Sequence, residues 1–348
     1  MTIQNAEGGK GMRVTIKEIA QMAGVSPSTV SRVLSGSSRI SADTTERVRD
    51  IMRRMHYRPN QLARSLVSRK HTIVAVALPS AAQTSLSDPF FYDVLRGISV
   101  GAAREGYHVL LSTGGGDNED DGVAELMHGG IVGGVILLTS KVEDETVESL
   151  LFHRFPFVVL GHPVRDGQIH WVDNDNVAAG QVVTDYLLSR GCKRVAFAGL
   201  DPHYRMTVDR CTGYRLAQKA AGFSPWPSAF LLEVPYGDTR VEPSRLRAAF
   251  AGPDRPDAVV CVNDLLALEV MRELASLGLR VPQDVSVIGF NNIQAGRFST
   301  PPLTTVEIDA ERLGQAAFGL LLRALNQPDA EAAHELVPFR IVERASVR

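Results

Sequence analysis

Apolar side chains recur along this 348-residue chain at two different periods, and the change of period divides it. From Val14 to Leu34 the spacing is helical: Ile16, Ile19, Ala20 and Ala23 fall at i, i+3, i+4 and i+7, and so on one face. Gly24 ends that helix. Ser26 and Pro27 open another, because the Ser26 hydroxyl can accept a free N–H and a proline at the first helical position loses no hydrogen bond. Val30, Val33 and Leu34 make its inner face, leaving Pro27, Ser28, Thr29, Ser31 and Arg32 outward, a face that is small, polar and basic. A third helix is expected from about Ala42 to Met55, capped by Ser41, supported in its first turn by Glu46, and carrying Val48, Ile51, Met52 and Met55 as a stripe that covers the first two. Pro59 interrupts the helical pattern. Asn60 begins a short basic segment, NQLARSLVSRK, with Leu62, Ala63, Leu66 and Val67, too short to hold a helix alone in water.

From Thr72 the pattern changes. Short continuous apolar runs (TIVAVALP, YHVLLS, GGVILLT, PFVVLG) alternate with helical segments, a βαβα order that predicts a parallel sheet covered on both faces. After Trp171 the cycle restarts with a helix carrying Val177, Val183, Tyr186 and Leu187, then RVAFAGL, a helix from Tyr214 to Ala221, FLLEV, AVVCVN and VSVIGF. Two doubly wound halves in series would present their strand ends to a shared cleft, where such folds bind ligands.

The first three helices have the parts of a helix-turn-helix: a glycine at the turn, an apolar inner seam, and a second helix with outer residues short enough to enter a major groove. An ordinary helical hairpin shares the local pattern. Charge separates the two. The formal net charge is −2, but residues 1–70 hold 13 Lys and Arg against 5 Asp and Glu, while the remainder holds 24 against 34. A basic head on an acidic body is the footprint of a polyanion partner at one end. Arg32 carries the fork that reads guanine O6 and N7 in a major groove.

Enzyme and metal signatures are missing from the sequence. Gly114 to Gly116 follow a strand, but no Gly-Lys-Ser/Thr completes a phosphate loop, and neither GxGxxG, HExxH nor GxSxG occurs. Cys192, Cys211 and Cys261 have no CxxC spacing and read as reduced thiols of a cytoplasmic protein. Residues 1–12 lack an apolar run and are expected to be a disordered lead-in, and no later run approaches a membrane span. No cofactor or metal is therefore expected. In the core, Phe90 and Phe91 after Asp88-Pro89 suit either ligand stacking or packing. Arg210 offers a buried fork for hydroxyls or a carboxylate. Asn263-Asp264 and Asn291-Asn292 each follow an apolar strand, and for Asp264 capping the next helix is an equal reading.

The run TIKEIAQMAGVSPSTVSRVLSG, the HYRPN step and NQLARSL resemble the DNA-binding headpiece and hinge of the lactose-repressor (LacI/GalR) family. SDPFFYDVLRGI, GGVILL, WVDNDN, RCTGYRLA, VVCVNDLLALEVMRELASLGLRVPQDVSVIGF and PPLTTVEID resemble its effector-binding core in the same order. The resemblance implies an all-α helix-turn-helix headpiece plus an α/β periplasmic-binding-protein-like core of two doubly wound subdomains. It implies a headpiece over 13–58, a hinge over 59–71, and a core over 72–348. The core would divide into an N-subdomain (about 72–170 plus 308–334) and a C-subdomain (about 171–307 plus 335–348). The implied partners are a near-palindromic double-stranded operator, a small-molecule effector and a second copy of the chain, with no membrane. Transferred by position, DNA contacts would be Thr15, Ser26, Pro27, Ser28, Thr29, Ser31, Arg32, Tyr57, Asn60 and Ala63, with Leu66 wedged into a minor groove. Effector contacts would be Phe90, Phe91, Arg210, Asn263 and Asn291. Leu268, Met271 and Ala275 would supply dimer contacts.

One departure bears on the ligand. Family members often carry an acidic residue after the VIGF strand, where this chain has Asn291 and Asn292. With no aspartate there to neutralise Arg210, a sugar acid or sugar phosphate is expected as effector over a neutral sugar, although an amide also serves a hydroxyl. A solute-binding protein or a sugar-modifying enzyme could share the core. Neither accounts for the basic head.

Overall fold

The structure is a computed structural model and describes residues 14–34, 37, 39–55, 57, 71–78, 88–113, 119–223, 231–237 and 242–348. The chain divides into two compact units, Met1–Lys70 and His71–Arg348.

In the first unit, α1 (Ile16–Ala23), α2 (Pro27–Leu34) and α3 (Ala42–Arg54) close one small core. Ile19, Val30 and Val48, one from each helix, are fully buried at its centre. Each start has its cap. Thr15 and Glu18 form a reciprocal capping box on α1, Ser26 Oγ accepts from Thr29 N at 3.1 Å, and Ser41 Oγ accepts from Thr44 N at 3.3 Å. Gly24 adopts φ 64°, left-handed, which lets the chain reverse between α1 and α2. Two details differ from expectation: Asp43, not Glu46, is the acidic residue in the first turn of α3, and Met55 is its cap rather than its last residue.

The second unit contains two six-stranded sheets. The first half runs β1 (Ile73–Ala77), α4 (Pro89–Arg104), β2 (His108–Ser112), α5 (Glu119–His128), β3 (Val135–Leu137), α6 (Glu145–Phe152), β4 (Phe157–Leu160) and β5 (His170–Asp173). The second runs α7 (Asn176–Ser189), β6 (Val195–Leu200), α8 (Arg205–Ala220), β7 (Leu231–Glu233), α9 (Pro243–Phe250), β8 (Ala258–Cys261), α10 (Asp264–Ser276), β9 (Ser286–Phe290), α11 (Gln294–Phe298) and β10 (Thr304–Ile308). The chain then returns: α12 (Ala310–Asn326) and β11 (His334–Leu336) belong to the first half, and β12 (Phe339–Val342) to the second. The sheet orders are β11-β5-β4-β3-β1-β2 and β12-β10-β9-β8-β6-β7. The ladders between these strands are all parallel except that of β10 with β12.

The crossovers fall slightly later than the sequence suggests. Trp171 pairs with Val159 inside the first sheet, Ile308 pairs with Phe339 inside the second, and Leu336 pairs with Asp173. The exchanges therefore occur after Asp173, at Asp309 and at Val337–Pro338, because a strand completes its ladder before the chain leaves the sheet, and an apolar run does not reveal which sheet it joins. Likewise α8 starts at Arg205, well before the expected Tyr214, since its cap residue Tyr204 makes no side-chain capping bond and gives no signal.

In each half a pair of helices packs backbone to backbone. A Cβ added to Gly213 in α8 would lie 2.0 Å from Val177 O in α7, and one on Gly180 would lie 2.2 Å from Arg210 O; Gly97 and Gly314 play the same part between α4 and α12. The approach sets where Arg210 sits. Gly213→Ala should therefore destabilise the core by about 1–3 kcal/mol or more through overpacking. Gly319→Ala, at an exposed position in α12 with nothing within 4 Å, should stabilise it by up to about 1 kcal/mol through helix propensity. Urea denaturation of the two variants beside the parent checks both signs.

Candidate functional site

The outward face of α2 is as the pattern implies. Pro27, Ser28, Ser31 and Arg32 are exposed and Thr29 is half-buried, with Arg32 in the last turn. Thr15 and Ser26 are exposed but already engaged: their hydroxyls cap α1 and α2, and Ser26 Oγ lies 2.7 Å from Ser28 Oγ. Tyr57 packs half-buried against the three-helix core, which raises its phenol pKa, and its N–H donates to Met52 O at 2.9 Å. Asn60, Ala63 and Leu66 lie outside the described residues.

In the core unit a cavity opens between the carboxyl ends of the two sheets. All five effector residues expected from the sequence, Phe90, Phe91, Arg210, Asn263 and Asn291, line it together. Asp88 N-caps α4 by accepting from Phe90 N at 2.9 Å, which presents the two phenylalanines at the helix start. Phe91 is in the core, half-buried Phe90 packs edge-on against it at 5.6 Å, and both also reach the cavity wall.

Arg210 is buried in the second turn of α8. Its Nε donates to Asn176 Oδ1 at 2.8 Å, Nη1 donates to Val262 O, and the guanidinium lies 4.1 Å over the Phe290 ring. Burial lowers its pKa to about 10, opposed first by Asp173, so it stays charged at neutral pH. Asp173, at the end of β5, accepts from Asn174 N (2.8 Å), His162 N (3.0 Å) and Asn176 Nδ2 (3.0 and 2.9 Å). Burial nevertheless raises its pKa to about 6. Asn176 thus bridges carboxylate and guanidinium.

Asn263 and Asp264 divide their work differently from the expectation. Asn263 is the cap of α10, accepting from Leu266 N at 2.8 Å, and Asp264 is fully buried behind it. The Asp264 carboxylate accepts from Ile293 N at 2.8 Å and from Thr305 Oγ1 at 2.6 Å, and burial raises its pKa to about 7. These bonds pin the segment after β9. Asn291 there adopts φ 95°, uncommon for a residue with a Cβ, and its Oδ1 is a buried acceptor with no donor.

Position 291 offers Arg210 no acid, as the sequence shows, but acids from elsewhere in the fold act on it. Asp173 acts on it most strongly among the acids, with Asp264 and Asp88 also contributing. Position 291 alone could not reveal acids supplied by the end of β5 and by the starts of α4 and α10. The sequence reading also missed Tyr204 and Tyr236, which stack at 4.2 Å and 26° and form an aromatic wall of the cavity with Met206 beside them. The signal for Asp173 was present: WVDNDN is a polar run directly after an apolar strand, like the two Asn pairs. No group of three potential metal ligands occurs among the described residues.

Two family models match the chain: bacterial regulatory proteins of the lacI family over residues 15–60, and a periplasmic binding protein-like domain over 184–347. The chain is 34% identical over 346 residues to the HTH-type transcriptional regulator MalR of Streptococcus pneumoniae serotype 4, covering 96% of this chain and 100% of that one. It is 31% identical over 338 residues to the ribose operon repressor of Escherichia coli K12, covering 95% and 99%. Among solved structures, the complex of the transcriptional regulator CelR with cellobiose matches with a TM-score of 0.73 at 28% identity, over 96% of this chain and 100% of that one. With a capped helix-turn-helix, a cleft between two doubly wound halves, and this similarity along almost its whole length, the chain belongs to the LacI family of bacterial transcription regulators.

Proposed function

We propose that this regulator is a homodimeric repressor acting in the cytoplasm on a near-palindromic operator, and that its effector is a neutral sugar. The observation that carries the effector class is the buried, unpartnered Oδ1 of Asn291 on a cavity wall that also holds Asp88, Asp173 and Arg210. A buried acceptor without a donor costs about 1–3 kcal/mol, which a donor on the ligand relieves. A sugar hydroxyl supplies that donor, and an ionised carboxylate or phosphate on the ligand would add negative charge where acids already outnumber the one arginine. The tyrosine pair and Phe90 offer flat apolar surface to a pyranose or furanose face. Cellobiose, the ligand in the CelR complex, is of this class.

A two-fold operator asks for a two-fold protein. Of the dimer contacts suggested on α10, Ala275 is exposed and Leu268 half-buried, but Met271 is packed into the core and is not available. No helix among the described residues is long and apolar enough to cross a membrane, as suits a protein that meets DNA directly.

Two outcomes follow. Arg32→Ala should cost about 1–3 kcal/mol of operator binding and relax preference at one base pair in each half-site. Binding to single-base operator variants at fixed salt measures it; an equal loss on every sequence would make Arg32 a phosphate contact. In a thermal-shift screen, neutral mono- and disaccharides should include ligands that raise the melting temperature, since saturation at a hundredfold over Kd stabilises by about 2.7 kcal/mol. Asn291→Ala should abolish that shift. Stabilisation by sugar acids or sugar phosphates alone would refute the neutral-sugar reading.

A further inference from the structure

The two halves of the core meet at a place that no chain crossover accounts for. All three crossovers leave from β5, β10, β11 or β12, which lie toward one edge of each sheet. Away from that edge, the segment after β3 touches the segment after β6. Val142 N donates to His203 O at 2.9 Å, Arg205 N donates to Ser140 O at 3.0 Å, and Lys141 pairs antiparallel with Tyr204 as an isolated bridge. Backbone pairs of this kind form only when the halves are close enough to share a ladder, so they report closure directly.

Both segments also belong to the cavity. Ser140 lines it, and its Oγ donates to His162 O at 2.9 Å, next to Gly161 on the wall. On the other side the buried Asp201, at the end of β6, divides its carboxylate between two loops: Oδ1 accepts from His203 N at 3.0 Å and Oδ2 accepts from Tyr236 N at 2.8 Å. One acid therefore holds both the loop that reaches across the cleft and the loop that carries the second tyrosine of the stacked wall.

We propose that Ser140–Val142 and His203–Arg205 form a backbone clasp that shuts the cleft over the effector, and that Asp201 is the positioning residue that couples this clasp to the Tyr204–Tyr236 wall. A ligand that packs against the tyrosines settles the His203 loop in the conformation that meets Val142, and an open clasp releases it. The effector half of the inference rests on the sugar reading above. The clasp itself does not.

Amide hydrogen exchange on the full-length protein tests the clasp without any ligand. Val142→Pro removes one cross-cleft donor and should speed exchange at Arg205, on the opposite half, by about tenfold or more, while β6 and β9 amides keep their protection. Asp201→Ala should speed exchange at Tyr236 and His203 locally and also at Val142 across the cleft; Asp201→Asn, which keeps one acceptor oxygen, should fall between. Retained operator binding by each variant shows that the fold survives. Unchanged exchange at Arg205 in Val142→Pro, or at Val142 in Asp201→Ala, would overturn the clasp or its coupling. In a second arm, cellobiose and ribose are titrated by calorimetry alongside a wider panel of neutral sugars. For a sugar that binds, Val142→Pro should speed dissociation, and an unchanged rate would overturn the role in ligand retention. Absence of any binding sugar would count against the effector reading and leave the exchange result standing.

Discussion

A guanidinium withdrawn from water must be compensated where it lies, and Arg210 imposes that constraint on the whole core. The ion keeps its charge because Asp173 answers it through Asn176, Val262 supplies a carbonyl, and the Phe290 face lies beneath it. Asp173 ends β5 of the first half and Arg210 rides on a helix of the second, so the charge network also fixes how the halves meet. The glycine contact of α7 with α8 brings the Arg210 backbone close enough to reach it.

Ligand chemistry follows from the same compensation. Because acids of the protein itself act on Arg210, the proposed effector need not bring a charge of its own. What remains to satisfy are hydrogen-bonding positions such as Asn291 Oδ1, held at an unfavourable φ by the bonds that Asp264 makes behind it. Rigid placement of a single acceptor against flat aromatic walls selects for a hydroxylated ring. Backbone strain at such a position is maintained only when the surroundings over-determine it, as Asp264, Thr305 and Val306 do here.

The headpiece was legible in the sequence almost residue by residue, because its determinants are local: a 3.6-residue period through Ile19 and Val30, a glycine at the turn, Ser26 and Ser41 as caps. The two-sheet core was legible for the same reason. The residue at which each crossover falls is not legible there, since Trp171 and Ile308 look alike in either sheet. Arg210, Asn263 and Asn291 could be picked out as polar groups at the ends of apolar elements. Their partners could not, because Asp173, Asp201 and Tyr236 acquire meaning only when distant loops converge. The expectation of an anionic ligand was drawn from position 291 alone, without the acids that the fold brings near Arg210, and Met271 shows a second limit: with half of α10 buried, periodicity does not single out its outer stripe.

The central claim is that occupation of the cleft by a neutral sugar changes how the headpiece binds DNA. It is tested most directly by fluorescence anisotropy on an operator fragment selected from random DNA, titrated with and without a saturating sugar at one salt concentration. The account predicts a change in operator affinity on the order of tenfold, the scale of ordinary allosteric coupling, with no change for Asn291→Ala. Identical binding curves with and without a sugar shown to occupy the cleft would contradict it.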